Sequence, residues 1–349
     1  MYQKESPAYD GGVGTSQCPI YHEDSFTYTF KADPSGTSWY HGHEKGQYPD
    51  GLRGMLIVHD REWEESLNID EQTSLTMSDW WHTEHTYLVD DYLSPDNVDG
   101  DIPSPDCFLF NDTRDGVTFN FEPEKRYLIR LVSMASLACA DFQIEDHDFD
   151  VVGVDGVHTE PLKTTTIKVC PGQRYDIVVE GKPSSGTDSF TWIAKMDTAM
   201  LTKNIPSDES RSVIGNVEYA KRGKYHRRAK SKGIKSTWKP RDKDILKDEK
   251  LKPLDKTPLF GPVDKYITFK TNQTYYDGLG SRIGTGEQPW AEPKVPTLFT
   301  ALTTGDAAMD PATYGWGVDP HVLKSNEVVQ IYMENPQEWP HPMHIHGKF

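Results

Sequence analysis

The chain has 349 residues, 36% of them hydrophobic and 26% charged, and a formal net charge of −17. That balance suits a folded globular protein of two or three domains and argues against nucleic acid as a partner. No apolar run approaches the roughly 18 residues of a membrane span, and the first residues, MYQKESPAYDGG, hold no apolar leader.

In chain order the pattern is one of short apolar or alternating runs between turn residues. SFTYTF and GMLIVHD come first. CFLF, RYLIRLV, FDVVGVDG, TTIKVC, RYDIVVEG and SFTWIAK follow, and YITFK and VVQIYM come last. Val, Ile, Tyr, Phe and Thr dominate these runs, and Gly, Pro, Asp and Asn separate them, which predicts strands. Few windows carry a helical period, so the expected class is all-β and built of sandwiches. Composition places one unit up to residue 62, a complete sandwich over 63–216, and the beginning of another β unit over 263–349. Between the last two, Lys221 to Lys256 carries a charge of roughly +10, lacks a hydrophobic period and contains Pro240 and Pro253. Residues 217–262 therefore read as an exposed basic linker.

Cys18, Cys107, Cys139 and Cys170 form no CxxC, which removes zinc-ribbon and thioredoxin-type readings. Sequons at Asn111 (NDT) and Asn272 (NQT) suit a secreted glycoprotein.

Two histidine clusters carry the chemistry. GTSWYHGHEKG contains His41 and His43, and HPMHIHG contains His341, His344 and His346. In a strand, residues i and i+2 face the same way with Cα atoms about 6.5 Å apart. Two imidazoles so placed can serve neighbouring metal ions. His341 is three residues before His344, so strand parity sends it to the opposite side and points to a separate centre. Imidazole clusters suit copper, zinc, iron or nickel, and copper heads the affinity order. His82 and His85 in DWWHTEH, and His147 and His158 in core-strand settings, read instead as structural residues with satisfied rings.

SQCPI, GTSWYHGH, DGLRGMLIV and HPMHIHG, in this order, resemble the multicopper oxidases, the group of laccases, ascorbate oxidases and fungal ferroxidases. IEDHDFDVVGVDGVHTEP, PGQRYDIVV and KVPTLFTALTTGD are similar to the fungal ferroxidase and laccase-like branch. The resemblance implies cupredoxin-like Greek-key β-sandwich domains, one complete and two partial. It implies a type 1 copper that takes single electrons from a reducing substrate, and a cluster of one type 2 and two type 3 coppers that reduces O2 to water. By the same resemblance His41, His43 and His346 would be type 3 ligands, His344 a type 2 ligand and His341 a type 1 ligand. Asp10, in YDGGVGTSQCPI, matches an acidic position that assists proton delivery. Cys18 and Cys139 match a cysteine pair that bridges the first two domains in fungal laccases; Cys107 and Cys170 are then left to pair or stay reduced.

The family's motifs H-W-H-G and H-C-H-I-x-x-x-H are not among these residues, so the expectation is a fragment whose parent is the enzyme and which alone is inactive. Fungal ferroxidases hold Fe(II) on carboxylates near the type 1 copper. Asp101 lies about one residue from the first such position. Thr202 stands at the second, and Gln337, followed by Glu338, at the third. With this acidic set degraded, the expected activity is a laccase-like oxidation of phenolic substrates. The alternatives are an Fe(II) ferroxidase of iron-uptake type and a non-catalytic cupredoxin fragment. A secreted or extracellular location accompanies either enzyme.

Overall fold

β1 (Gly36–His41) and β2 (Arg53–Val58) form an antiparallel ribbon in which His41 stands opposite Arg53. The computed structural model describes residues 6–183, 189–219, 245–285, 288–337 and 340–346. After the ribbon, Asp60 caps helix α1 (Arg61–Ser66) by accepting from the Trp63 backbone N–H at 3.0 Å. Such a cap contributes about 1 kcal/mol. It fixes Trp63 against Leu128, Val152 and Val178 on the outer face of the next unit.

That unit is built from β3 (Glu71–Trp80), β4 (Cys107–Phe110), β5 (Thr118–Phe121), β6 (Arg126–Ser133), β7 (Ala140–Ile144), β8 (Phe149–Val154), β9 (Val157–Thr164), β10 (Thr166–Val169), β11 (Arg174–Glu180), β12 (Ser189–Met196) and β13 (Ser212–Tyr219). One sheet runs β4-β3-β6-β11-β8-β9 and the other β10-β7-β12-β13-β5. The parallel pairs β3–β6 and β5–β13, among antiparallel neighbours, mark the crossovers of a Greek-key sandwich. Phe110, Phe142 and Trp192 meet between the sheets with ring centroids 4.4 to 6.1 Å apart, and burying each contributes roughly 1.5–3 kcal/mol. Trp192 donates its indole N–H to Val117 O at 2.8 Å. β6 is buried on both faces: one meets the core, and the other, which carries Arg130, lies against Trp63 and the ribbon.

In the last unit β14 (Lys265–Lys270) runs parallel to β17 (Val329–Glu334), and β15 (Asn272–Tyr276) pairs with β16 (Gly280–Gly284). It docks on the first unit where the Thr297 and Leu298 N–H groups donate to Gly14 O and Thr15 O, at 3.1 and 2.9 Å.

Three expectations are corrected. SFTYTF, residues 25–30, forms no strand; among the described residues no strand lies beside it to complete a ladder, and Phe26, Tyr28 and Phe30 stay exposed. The linker is not exposed throughout. Residues 220–244 lie outside the described residues, but Leu246 and Leu251 pack against the sandwich core, and Asp248 accepts from Tyr175 Oη at 2.7 Å. These apolar residues sit at the end of the basic run, where the charge count hides them. Finally, the disulfide joins Cys139 to Cys170, with S–S 2.02 Å, and not to Cys18. β7 and β10 are antiparallel with Ala140 opposite Val169, so the next rung places the two cysteines face to face. Cys18 is an exposed free thiol and Cys107 a buried one.

Candidate metal centre

β1 ends on His41, and the chain leaves the ladder at Gly42, whose N–H donates to Leu52 O at 2.9 Å. A Cβ on Gly42 would lie 2.7 Å from Gln47 Oε1 and 3.0 Å from Leu52 Cδ2, so the crossing is built for glycine. His41 donates Nδ1–H to the Gly42 carbonyl at 3.0 Å, which leaves Nε2 with the free lone pair. Its ring stacks on Trp39 at 4.2 Å and meets Tyr48 edge-on at 4.9 Å.

His43 lies just beyond the strand. Its ring centroid is 4.5 Å from His41 and 4.9 Å from His346, and His346 is 4.9 Å from His344. The four imidazoles form a run, His41–His43–His346–His344, along a cavity of about 660 Å3 that Asp10, Tyr28, Trp39 and Arg174 also line. The second H-x-H pair is not in a strand, because Pro342 cannot donate to a ladder, yet it still turns both rings into the cavity. His341 does not line that cavity; it hydrogen-bonds through Nε2 to Gln337 Oε1.

Burial, and after it the neighbouring His41 and His346, pushes His43 down to about 4. Burial also lowers His41 and His344. These three rings are therefore neutral at neutral pH, the form that ligates metal. Asp10 Oδ2 accepts from His346 Nδ1–H at 2.8 Å, and this bond holds the Asp10 carboxyl below its ordinary value. Nε2 of His346 is left free, the arrangement by which a carboxylate orients an imidazole ligand. Among the described residues no three His, Cys, Asp or Glu side chains close on a single point as a one-ion cage would. Neutral imidazoles in adjacent pairs, two of them with a defined free nitrogen, fit copper in donor type and would serve neighbouring ions pairwise.

The remaining predicted residues are dispersed. Asp101 is ion-paired with Lys203, next to Thr202, and Asn97 ties its backbone through bonds of 2.9 and 3.1 Å. Glu338 lies outside the described residues. Asn111 and Asn272 are exposed; Asn111 Oδ1 accepts from Thr76 N–H at 2.8 Å, and Asn272 Nδ2 donates to Thr274 Oγ1 at 2.9 Å. His147 is satisfied by Glu145 O at 2.6 Å and Tyr219 Oη at 2.7 Å. His158 departs from expectation: it packs edge-on against Trp63 at 3.8 Å, but its Nδ1 is buried with no partner. His85 is structural, 3.4 Å from Asp50, and the His82 N–H donates to Asp106 at 2.7 Å. Sequence reasoning missed Trp39, Tyr48 and Arg53. Trp39 was findable, since it lies two residues before His41 and shares its strand face; Tyr48 meets the His41 ring from the loop, and Arg53 stands opposite His41 in the ribbon register.

Family models described as multicopper oxidase match residues 1–63, 71–221 and 290–349. An iron transport multicopper oxidase FET3 of Gibberella zeae is 35% identical over 347 residues, covering 99% of this chain and 54% of the relative. The chain thus spans about half the length of the curated relatives it matches. The crystal structure of Fet3p, a multicopper oxidase that functions in iron import, matches with a TM-score of 0.86 and 30% identity, over 96% of this chain and 61% of that one. The laccase from Botrytis aclada matches at 0.67 with 22% identity, over 87% and 54%, and shares the fold. With three matched segments on a cupredoxin-like scaffold, and an imidazole run joining the first segment to the last, the chain belongs to the multicopper oxidase family.

Proposed function

We propose that the full-length parent of this chain is a copper-dependent oxidase that takes electrons singly from Fe(II) and delivers them to O2. The sequence alone favours phenols, because the carboxylate set is degraded. The relatives favour iron: the 35% identity over nearly the whole chain is to an iron transport oxidase, whereas the laccase likeness, at 22%, bears on fold only. The observation that carries the oxidase reading is the run of four imidazoles in one cavity, with Asp10 behind His346.

In this reading His41, His43 and His346 would hold type 3 copper, His344 type 2 and His341 type 1. Bound copper supplies the electron transfer: each Fe(II) gives up one electron, and O2 takes four electrons and four protons to become two waters. The residues do the rest. Gly42 O and Asp10 each hold one ring nitrogen so that the other faces the cavity. Trp39 and Tyr48 keep the His41 ring from turning. Asp10, ionised at the cavity edge, is the carboxylate placed to receive and pass on protons. The disulfide and the exposed sequons Asn111 and Asn272 favour a secreted or extracellular setting.

Oxygen uptake by the copper-loaded full-length parent is the test, with this chain alone expected to show none. The expected result is four Fe(II) consumed per O2, with kcat/KM for Fe(II) at least about tenfold above that for a phenol. A phenol preference would return the reading to a laccase, and no uptake with either substrate would remove both.

A further inference from the structure

We propose that Arg53 is the positioning residue for His41, tying the far strand of its ribbon to a rigid shelf of the sandwich. This rests on the reading of His41 as a copper ligand. His41 occupies the last rung of β1, with Arg53 directly across the ladder, where side chains on one face have Cβ atoms about 5 Å apart. One further bond, from the Gly42 N–H to Leu52 O at 2.9 Å, closes the ribbon beyond this rung; the end of a two-stranded ribbon is where pairing frays, and here it carries a candidate ligand.

Arg53 anchors that rung. Its side chain is only 3% exposed. Nη1 donates to Met134 O at 2.9 Å and Nη2 to Asp112 Oδ1 at 3.0 Å. Met134 begins the shelf. Its N–H donates to Met77 O at 2.7 Å, and the next residues, Ser136, Leu137 and Ala138, donate theirs to buried Asp79 at 2.8 to 2.9 Å. Cys139, one residue on, is locked to Cys170. The shelf is thus fixed from both sides, and the guanidinium fork transfers its position to the His41 rung. The anchor is costly, because Arg53 Nε is buried with no acceptor, and a well-packed apolar side chain would avoid that cost. Lysine could keep the charge but not the fork that reaches both acceptors.

Cu(II) titration of the copper-depleted protein, as a double-mutant cycle with His41→Ala, tests the assignment. Arg53→Lys should weaken Cu(II) binding about ten- to a hundredfold, as loss of a group supporting a metal ligand does. In the His41→Ala background the same change should have almost no further effect, since a residue that acts through another is not additive with it. Equal losses in both backgrounds, or no loss from Arg53→Lys, would overturn the positioning role. Should Arg53→Lys not fold, Asp112→Ala decides: this removes only the exposed partner, with about threefold weaker binding expected and no change in the His41→Ala background. No effect of Asp112→Ala would then overturn the role. If His41→Ala itself leaves Cu(II) binding unchanged, it is the ligand reading that fails, and the positioning role falls with it.

Discussion

The two H-x-H pairs reach one cavity by different means. His41 closes a six-residue strand, packs between aromatic rings and stands on a ribbon pinned to the sandwich. At the other end of the same strand Thr37, fully buried, donates to Asp176 Oδ1 at 2.5 Å and accepts from Arg130 at 3.0 Å. His344 and His346 have no such support. They lie in irregular, exposed chain, and His346 is held by Asp10. One half of the centre is built by folding, and the other is completed by a hydrogen bond to a carboxylate and by whatever the rings bind. A centre divided in this way can form only when the first and last units dock.

The largest expected effect comes from attacking the built half. Arg130 is 1% exposed and lies 2.7 Å from Glu64 and 3.4 Å from Asp176, both largely buried. Arg130→Ala strands those carboxylates, and breaking a buried pair in this way costs about 3–5 kcal/mol. Urea unfolding should show that loss, with Asp10→Asn costing under about 1 kcal/mol in the same assay. Equal costs would erase the distinction between the pairs. Gly42→Ala comes next. The added methyl must displace Gln47 or Leu52, and overpacking of this kind costs about 1–3 kcal/mol. Because Gly42 separates His41 from His43, Cu(II) binding should weaken together with stability.

The sandwich was legible in the sequence because its strands are buried on defined faces: CFLF, RYLIRLV and RYDIVVE are β4, β6 and β11. β3 was not, since EQTSLTMSDW starts polar and becomes apolar only where β4 joins it. The histidines were legible through their spacing alone. Their convergence was not, because it depends on docking between residues 14–15 and 297–298. The Cys139–Cys170 bond was missed because strand register, which places the pair, cannot be read from four cysteines in isolation. Likewise the pairing of Asp101 with Lys203 depends on two loops about a hundred residues apart.

Asp10→Asn sharpens the comparison from the other side. Asparagine keeps the shape and can still accept from His346 Nδ1–H, but it removes the charge that orients the ring. Cu(II) affinity should fall about ten- to a hundredfold, with the unfolding midpoint nearly unchanged. Arg130→Ala should do the reverse in proportion, losing more stability than intrinsic affinity. If Asp10→Asn leaves Cu(II) binding intact, the second pair does not depend on the Asp10 carboxylate.

The smallest effect concerns the sandwich itself and is read by pH. Burial lowers His147 below its ordinary 6.5. The carbonyl of Glu145 and the nearby Asp146 and Asp148 oppose that shift, and Lys182 adds to it. Native His147 therefore binds fewer protons than the unfolded chain does. Acid favours the state that binds more, so this residue's contribution is full above about pH 6.5 and is lost as pH falls towards the lowered native value. The slope from one such group is at most about 1.4 kcal/mol per pH unit. Protonation would also turn Nε2 into a donor, so the Tyr219 hydroxyl, which already accepts from the Lys182 N–H at 2.7 Å, would lose His147 as the acceptor of its own proton. Denaturant unfolding between pH 5 and 7 should show a shallower profile in His147→Gln than in the native protein. Parallel profiles would assign the acid sensitivity to other groups and leave the sandwich indifferent to pH at this position.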